Sequence, residues 1–182
     1  MTTIDLRQLS VLVVDPSDNM RRIIRSLLLG FGVRAVSEAS DAATARELTG
    51  RAMPDIVMVE LRLPDEGGGL ALIRHLRDVE ASCNAEVPII AMNADTQRED
   101  VLAARDAGAT EFLCKPASGK AIHDRIANIL LNPRPFVRTK SFFGPDRRRF
   151  VHPNFGTEER RVESIGQEFI ENAAVMVERL AR

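Results

Sequence analysis

The stretch Val11-Leu12-Val13-Val14-Asp15 decides the fold, because four consecutive apolar residues lead directly into an acid. Residues 56–60 and 89–92 have the same texture, with apolar side chains at nearly every position. Strands of this kind are typical of parallel sheets that helices cover on both faces. Shorter strand-like runs at residues 34–38 and 111–114 bring the number of predicted strands to five. We therefore predict an α/β fold, a (βα)5 doubly wound parallel five-stranded sheet.

The segments between these strands have helical spacing, with apolar residues three and four positions apart. Ser17 and Asp41 precede two of the segments and are residues that favour the N-cap position. Gly30 and Gly108 stand where two helices should stop. The sequence therefore predicts helix boundaries as well as helix order.

The sequence pattern changes after residue 131, where Asn132-Pro133-Arg134-Pro135 cannot continue a helix. We predict a core domain over residues 1–131 and an irregular Arg/Phe-rich extension over residues 132–161. Helical spacing returns over residues 162–182, which predicts a C-terminal amphipathic helix.

Composition excludes several classes of protein. Apolar residues make up 45% and charged residues 28% of the 182 residues, which is ordinary for a globular chain. No apolar run is long enough to span a bilayer, and residues 1–9 lack the features of a secretory signal. We therefore expect a cytoplasmic protein without membrane insertion. Cys83 and Cys114 have no paired spacing, so we expect free thiols and no metal site.

Four polar residues lie at or just beyond the ends of predicted strands, namely Asp15, Glu60, Asn93 and Lys115. The carboxyl ends of parallel strands meet at one edge of a sheet, where open α/β folds have their binding crevice. We therefore predict that these four side chains lie together.

These residues carry a family resemblance when they are read with four further motifs, namely residues 20–24, Leu63-Pro64, Ala107-Gly108-Ala109 and Lys115-Pro116. Together with residues 11–15, they resemble a bacterial response-regulator receiver domain, and most closely a chemotaxis-type single-domain regulator. The resemblance covers about residues 9–131. It implies a flavodoxin-like fold and a role in two-component signalling.

The resemblance also shows what this sequence lacks. Receivers hold Mg²⁺ with two adjacent acids after the first strand, but here Pro16 follows Asp15. Glu60 stands where the family has its phosphoacceptor aspartate, and Asn93 replaces the switching hydroxyl residue. A displacement of about 1 Å can cost roughly 10²-fold in rate. We therefore expect a pseudo-receiver, with no catalytic residue, no enzyme activity and no bound Mg²⁺.

Two retained positions have more than one interpretation. Lys115 either pairs with an acid purely for stability or takes part in signalling, and the longer Glu60 side chain could reach it and Asn93 as a phosphate mimic. Phe112 matches the aromatic switch position of the family, although a partly buried core residue is the simpler interpretation.

The extension is basic, with six cations and one acid between residues 134 and 149. Its candidate nucleotide-binding residues are Arg134, Arg138, Arg147, Arg148, Arg149, Arg160 and Arg161. Residues 143–149 recur in kind at residues 155–161, which suggests two equivalent contact elements. Interleaved phenylalanines add flat surfaces on which bases can stack.

Three roles for the extension stay open. It could be a strap packed on its own domain. It could bind cyclic di-GMP, because it is similar to the arginine-rich extensions of a class of chemotaxis-like cyclic di-GMP effectors. Nucleic-acid binding is less favoured, since the net charge is −1 and no helix-turn-helix is evident, so we do not expect DNA as a partner.

The combined prediction is a phosphorylation-independent signalling adaptor that acts through a signalling protein partner. The alternative is a conventional phosphoacceptor response regulator in a phosphorelay. The C-terminal helix is predicted to form a homodimer, because a receiver core is already covered on both faces.

Overall fold

The computed structural model describes residues 5–95, 97–139, 142–147 and 163–164. Residues 163 and 164 are described by their backbone alone. Strands and helices alternate in the predicted order after a 3-10 turn at Leu6–Gln8. Their bounds are β1 Ser10–Val14, α1 Asp18–Gly30, β2 Ala35–Ala39, α2 Ala42–Ala52, β3 Ile56–Glu60, α3 Gly68–Leu76, β4 Ile89–Asn93, α4 Arg98–Ala107, β5 Glu111–Cys114 and α5 Gly119–Leu131. Within these ranges no helix has the length and apolarity that a membrane crossing would need.

The five strands form one parallel sheet in the order β2-β1-β3-β4-β5. Each face of the sheet has its own apolar core. Ile24 of α1 and Ile126 of α5 belong to one core, and Leu72 of α3 and Ala104 of α4 belong to the other. The predicted flavodoxin-like fold, with helices on both faces, is confirmed.

Capping residues begin and end the helices where the sequence predicts. The Ser17 hydroxyl accepts a hydrogen bond from the Met20 amide at 3.3 Å, and Asp41 accepts one from the Thr44 amide at 2.8 Å. Gly108 ends α4 with a φ of 106°, a left-handed conformation that favours glycine. Local chemistry therefore places these boundaries.

Gly69 lets the first turn of α3 pack against the end of β3. A Cβ atom at Gly69 would collide with the carbonyl oxygen of Glu60 and lie 2.8 Å from the Cα of Leu61. The Gly69 amide also donates a hydrogen bond of 2.9 Å to the Leu61 carbonyl. The start of α3 therefore contacts the backbone of Glu60 directly, and only glycine at position 69 permits so close an approach.

The extension contains regular structure that the sequence did not predict. Strands β6 (Phe136–Arg138), β7 (Phe143–Pro145) and β8 (Glu163–Ser164) form an antiparallel sheet in the order β7-β6-β8. The prediction of an irregular strap is thus wrong at these strands. Glu163 and Ser164 are extended where we predicted the start of a helix, and residues 165–182 lie outside the described residues.

The small sheet packs on the amino edge of the large one, through Phe136 and Arg77. Phe136 is fully buried, and the Arg77 guanidinium lies 5.0 Å from its ring centroid. Arg77 donates to the carbonyls of Ala85 and Val87, which precede β4, and of Gly108, which precedes β5. The described part of the extension therefore lies at the opposite edge of the sheet from Glu60.

Candidate functional site

The crevice at the carboxyl edge contains three charged side chains in direct contact. The Lys115 ammonium lies 2.5 Å from Asp15 Oδ2 and also forms an ion pair with Glu60 Oε2. The other oxygens are occupied as well, because Asp15 Oδ1 accepts from the Ser17 amide at 2.8 Å and Glu60 Oε1 accepts from the Arg62 amide at 2.9 Å. Each carboxylate oxygen in the crevice therefore has a donor from this chain.

Burial makes these contacts strong. The side chains of Asp15, Glu60 and Lys115 are at most 10% exposed. Burial by itself lowers the pKa of Lys115, but the hydrogen bonds to Asp15 and Glu60 outweigh it, so the net shift of that pKa is upward. The lysine is a firmly held cation at neutral pH.

The residues of the crevice do not fit the Mg²⁺ ion that receivers hold. Pro16 offers no oxygen ligand from its side chain, and the Lys115 ammonium lies between the two carboxylates that remain. Asp18, the nearest further acid in the sequence, pairs with Arg21 and Arg22 on its own helix. Within the described ranges no cluster of three His, Cys, Asp or Glu residues could hold a metal.

Asn93 lies at the end of β4, and its side-chain amide contacts α4. Its Nδ2 donates a hydrogen bond of 2.9 Å to Asp100 Oδ2 in the first turn of α4. Its Oδ1 atom is buried and has no hydrogen-bond partner among the described residues. Of the two contacts that the mimic hypothesis requires of Glu60, the one with Lys115 is present, while the Asn93 amide binds α4.

A cleft of about 280 Å³ lies between α4, β5 and the extension, and we call it the α4–β5 cleft. The half-buried Phe112 lines it together with apolar residues of α4. Arg134 and Arg147 of the extension and Arg105 of α4 also line it. Two of the predicted nucleotide-binding arginines therefore lie beside the predicted switch position.

Carboxylates of the core domain hold both of these arginines. Arg134 pairs with the buried Glu111 at 3.5 Å, and Arg147 pairs with Asp106 at 3.2 Å. Glu111 also pairs with Arg125 at 3.4 Å and accepts a hydrogen bond from Asn128 at 2.7 Å, so it joins the extension to α5. The Arg147 guanidinium covers the Phe142 ring at 3.9 Å from its centroid.

Only part of the predicted arginine set can be placed. Arg138 is exposed on β6, while Arg148, Arg149, Arg160 and Arg161 lie outside the described residues. The two sequence copies in the extension differ at a position that makes a contact, because the residue equivalent to Arg147 is Glu159. Glu159 has the opposite charge from Arg147, so the two copies are not chemically equivalent at this position.

Several residues that join the extension to the core were not found by sequence reasoning. Arg77 and Glu111 are buried charged residues, and Asp106 is the partner of Arg147. A charged residue next to the apolar Leu76 gives no sign of its burial, and Glu111 has the appearance of an ordinary strand end. Their partners lie on distant segments, so no local pattern marks them.

The fold and the crevice define a class of protein, and comparison with known families identifies the same class. Residues 11–127 match the family described as the response regulator receiver domain. This chain therefore belongs to the response regulator receiver domain family, whose members are signalling modules. The match ends before the extension begins.

Two curated relatives have similar sequences. The KDP operon transcriptional regulatory protein KdpE of Escherichia coli is 37% identical over 107 residues, which are 59% of this chain but only 44% of that regulator. The chain therefore spans less than half of KdpE. Chemotaxis protein CheY-3 of Vibrio cholerae is 26% identical over 123 residues, covering 68% of this chain and 92% of that protein.

Solved structures have the same fold. A response regulator from Chloroflexus aurantiacus superposes with a TM-score of 0.63 at 25% identity, covering 68% of this chain and 98% of that one. Chemotaxis protein CheY4 of Vibrio cholerae gives a TM-score of 0.61 at 22% identity, covering 66% and 98%. The second similarity is one of fold alone.

Proposed function

We propose that this chain is a signalling adaptor whose receiver domain works without phosphorylation. One observation carries the proposal: the Lys115 ammonium is shared between Asp15 and Glu60, and the other oxygens of both acids accept backbone amides. A crevice whose charges are bound to one another offers neither a free nucleophile nor a place for a metal ion. The domain then acts through protein contacts, with a signalling protein as its partner.

Exposure to acetyl phosphate and Mg²⁺, followed by mass spectrometry of the intact chain, tests this proposal. We expect no phosphorylated species, because Glu60 carries one methylene too many and Pro16 replaces a metal ligand. The double variant Pro16→Asp with Glu60→Asp supplies the family's acids and is the matched positive control. Phosphorylation of the unaltered chain that disappears in Glu60→Gln would refute the proposal.

Glu60 has a second role within this proposal, as a permanent substitute for the phosphoryl group. Its carboxylate binds Lys115 from the end of β3, and Gly69 holds the backbone beneath it. Glu60→Asp shortens the side chain by one methylene, whereas Glu60→Gln removes its charge but keeps its length. We expect both to speed amide hydrogen exchange in α4 and β5. Unchanged exchange in both variants would remove the mimic role.

The extension is the proposed site of regulation, with cyclic di-GMP as the first ligand to test. Arg134 and Arg147 line the α4–β5 cleft beside Phe112, so an anion bound there would act at the position that receivers use for switching. Arginine forks bind phosphate groups, and the apolar floor of the cleft suits a base. This part of the proposal uses the likeness of the extension to arginine-rich cyclic di-GMP effectors.

Calorimetry with cyclic di-GMP tests the ligand directly. We expect the whole chain to bind it, and we expect Arg147→Ala and Arg148→Ala each to weaken binding about tenfold or more. Arg46→Ala is the control, because Arg46 is exposed on α2, far from the extension in sequence. Absence of cyclic di-GMP binding by the intact chain would exclude this ligand. The adaptor role would then still be tested by the phosphorylation assay.

Homodimer formation through residues 165–182 belongs to the same proposal. Light scattering should give a dimer for the whole chain and a monomer for a chain that ends at Ser164. That truncation keeps β6, β7 and β8, and circular dichroism of the shortened chain establishes that it is folded. The same number of chains per particle in both cases would count against the predicted helix as a dimer contact.

A further inference from the structure

A second cleft, of about 380 Å³, lies on the other side of the extension and takes no part in the function proposed above. The C-terminal ends of α3 and α4 form one wall, and Arg138, Thr139, Phe142 and Phe143 form the other. We call it the amino-edge cleft. Its volume falls within the range of about 300–1,000 Å³ that is usual for small-molecule sites.

Cations dominate this cleft. Arg74 of α3 and Arg138 of β6 line it from opposite walls, and neither has an ion-pair partner within the described ranges. Two carboxylates also line it, Asp78 and Asp106. Asp106 is already paired with Arg147 at 3.2 Å and with Arg105 at 2.9 Å, so its charge is largely compensated.

The wall behind these residues contains a third cation. Arg77 is buried, and its hydrogen bonds go to neutral acceptors, the carbonyls of Ala85, Val87 and Gly108 and the hydroxyl of Thr110. Burial lowers the pKa of Arg77 to about 9, with only a partial offset from the charge of Glu86. A buried cation without a hydrogen-bonded carboxylate is stabilised when an anion comes near.

Aromatic rings supply the apolar part of the cleft. Phe142 and Phe143 both line it, together with Arg74 and Arg138. Phe143 packs on Phe136, and Arg147 covers Phe142. Rings held by their neighbours in this way lose little entropy when a flat group stacks against them.

The geometry points to a binding site for a nucleoside phosphate in the amino-edge cleft. Arg74 and Arg138 bind the phosphate from opposite walls, and Phe142 and Phe143 contact the base. A nucleotide satisfies both halves of the cleft, since it joins an anion to a flat apolar ring system. Arg74 is the most informative residue, because it lies on α3 and is not part of the extension.

Calorimetry on the whole chain, with GMP, guanosine and inorganic phosphate as separate probes, tests this inference. We expect GMP to bind at least about tenfold more tightly than either part alone, and Arg74→Ala to weaken GMP binding about tenfold. Arg46→Ala is the matched control on α2 and should leave GMP affinity unchanged. Circular dichroism of each variant establishes that it is folded.

Three outcomes would overturn the inference. These are no binding of GMP by the whole chain, unchanged affinity in both Arg74→Ala and Arg138→Ala, or phosphate binding as tightly as GMP, which would leave the rings without a role. Cyclic di-GMP binding that is lost in Arg134→Ala but kept in Arg74→Ala would support the α4–β5 cleft alone, because Arg134 lines that cleft and not the amino-edge cleft. The two clefts can therefore fail independently.

Discussion

The two edges of the central sheet hold buried cations in opposite ways. At the carboxyl edge, Lys115 lies between the carboxylates of Asp15 and Glu60, which raise its pKa. At the amino edge, Arg77 lies among neutral carbonyls and a phenyl ring, and burial lowers its pKa to about 9. At the carboxyl edge the buried cation is therefore neutralised by carboxylates, whereas at the amino edge the buried cation has only neutral hydrogen-bond acceptors.

This difference suggests where the chain can still respond to a signal. A receiver ordinarily takes its input at the carboxyl edge, but here Asp15, Glu60 and Lys115 are bound to one another. Among the described residues, Asn93 Oδ1 is the buried side-chain atom that lacks a hydrogen-bond partner. The amino edge has two clefts and an extension that bears arginines. The following changes weaken one edge at a time, and they run from the largest expected effect to the smallest.

Phe136→Ala should have the largest effect, a loss of about 4 kcal/mol in the free energy of unfolding, because it removes a fully buried ring from above Arg77. Urea unfolding followed by circular dichroism measures it. Phe142→Ala is the comparison, since that ring is only partly buried and should cost about 1 kcal/mol. Equal losses for the two variants would mean that the extension is not anchored through Phe136.

Lys115→Met should cost about 3 kcal/mol, because it leaves two buried carboxylates without their shared cation. The same urea experiment applies. Lys120→Met is the matched control, since Lys120 is exposed and pairs with Asp124 on the surface of α5, where such pairs contribute about 0.5 kcal/mol. A loss below about 1 kcal/mol for Lys115→Met would show that Asp15 and Glu60 do not depend on Lys115 for their stability in the crevice.

The free energy of unfolding should depend on pH through Lys115 at the carboxyl edge. Because the pKa of Lys115 is raised in the folded chain, its contribution is fully present below the unfolded value of 10.5 and disappears as the pH rises through the folded value. Unfolding free energies measured from pH 8 to pH 11.5 should therefore fall at the alkaline end. Lys115→Met should flatten that fall, and an identical profile in the variant would contradict the assignment.

Arg147→Ala should have the smallest effect, a loss of about 0.5 kcal/mol, because its ion pair with Asp106 is substantially exposed. Salt should weaken the contact further, so the difference from the unaltered chain should shrink at about 1 M NaCl. Urea titrations at low and high salt measure both quantities. A difference that salt does not change would indicate that packing on Phe142, not charge, holds this arginine.

The sequence was informative where a side chain's place follows from its strand. Asp15, Glu60 and Lys115 could be brought together in advance, because parallel strands end at one edge of the sheet. The partner of Asn93 could not be predicted, since it depends on how Asp100 lies in the first turn of α4. The small sheet was missed because its strands have two or three residues, too few for a period of two to be recognised.

The contact between Arg77 and Phe136 shows a second reason for such misses. The two residues are far apart in the chain, and one follows a helix while the other follows a proline-rich turn. Nothing in either neighbourhood marks the other. A buried charge is revealed only when its acceptors, here three carbonyls from two separate segments, are seen together.

The close approach of Gly69 to the end of β3 has a consequence for protein engineering. Because the helix supports the main chain at residue 60 directly, exchanging the side chain there should leave the backbone path as it is. Two substitutions, at positions 16 and 60, would then suffice to attempt a reporter that responds to acyl phosphates. The scaffold for such a sensor is already present, and Asn93, which stands in place of the switching hydroxyl residue, is the next position to exchange.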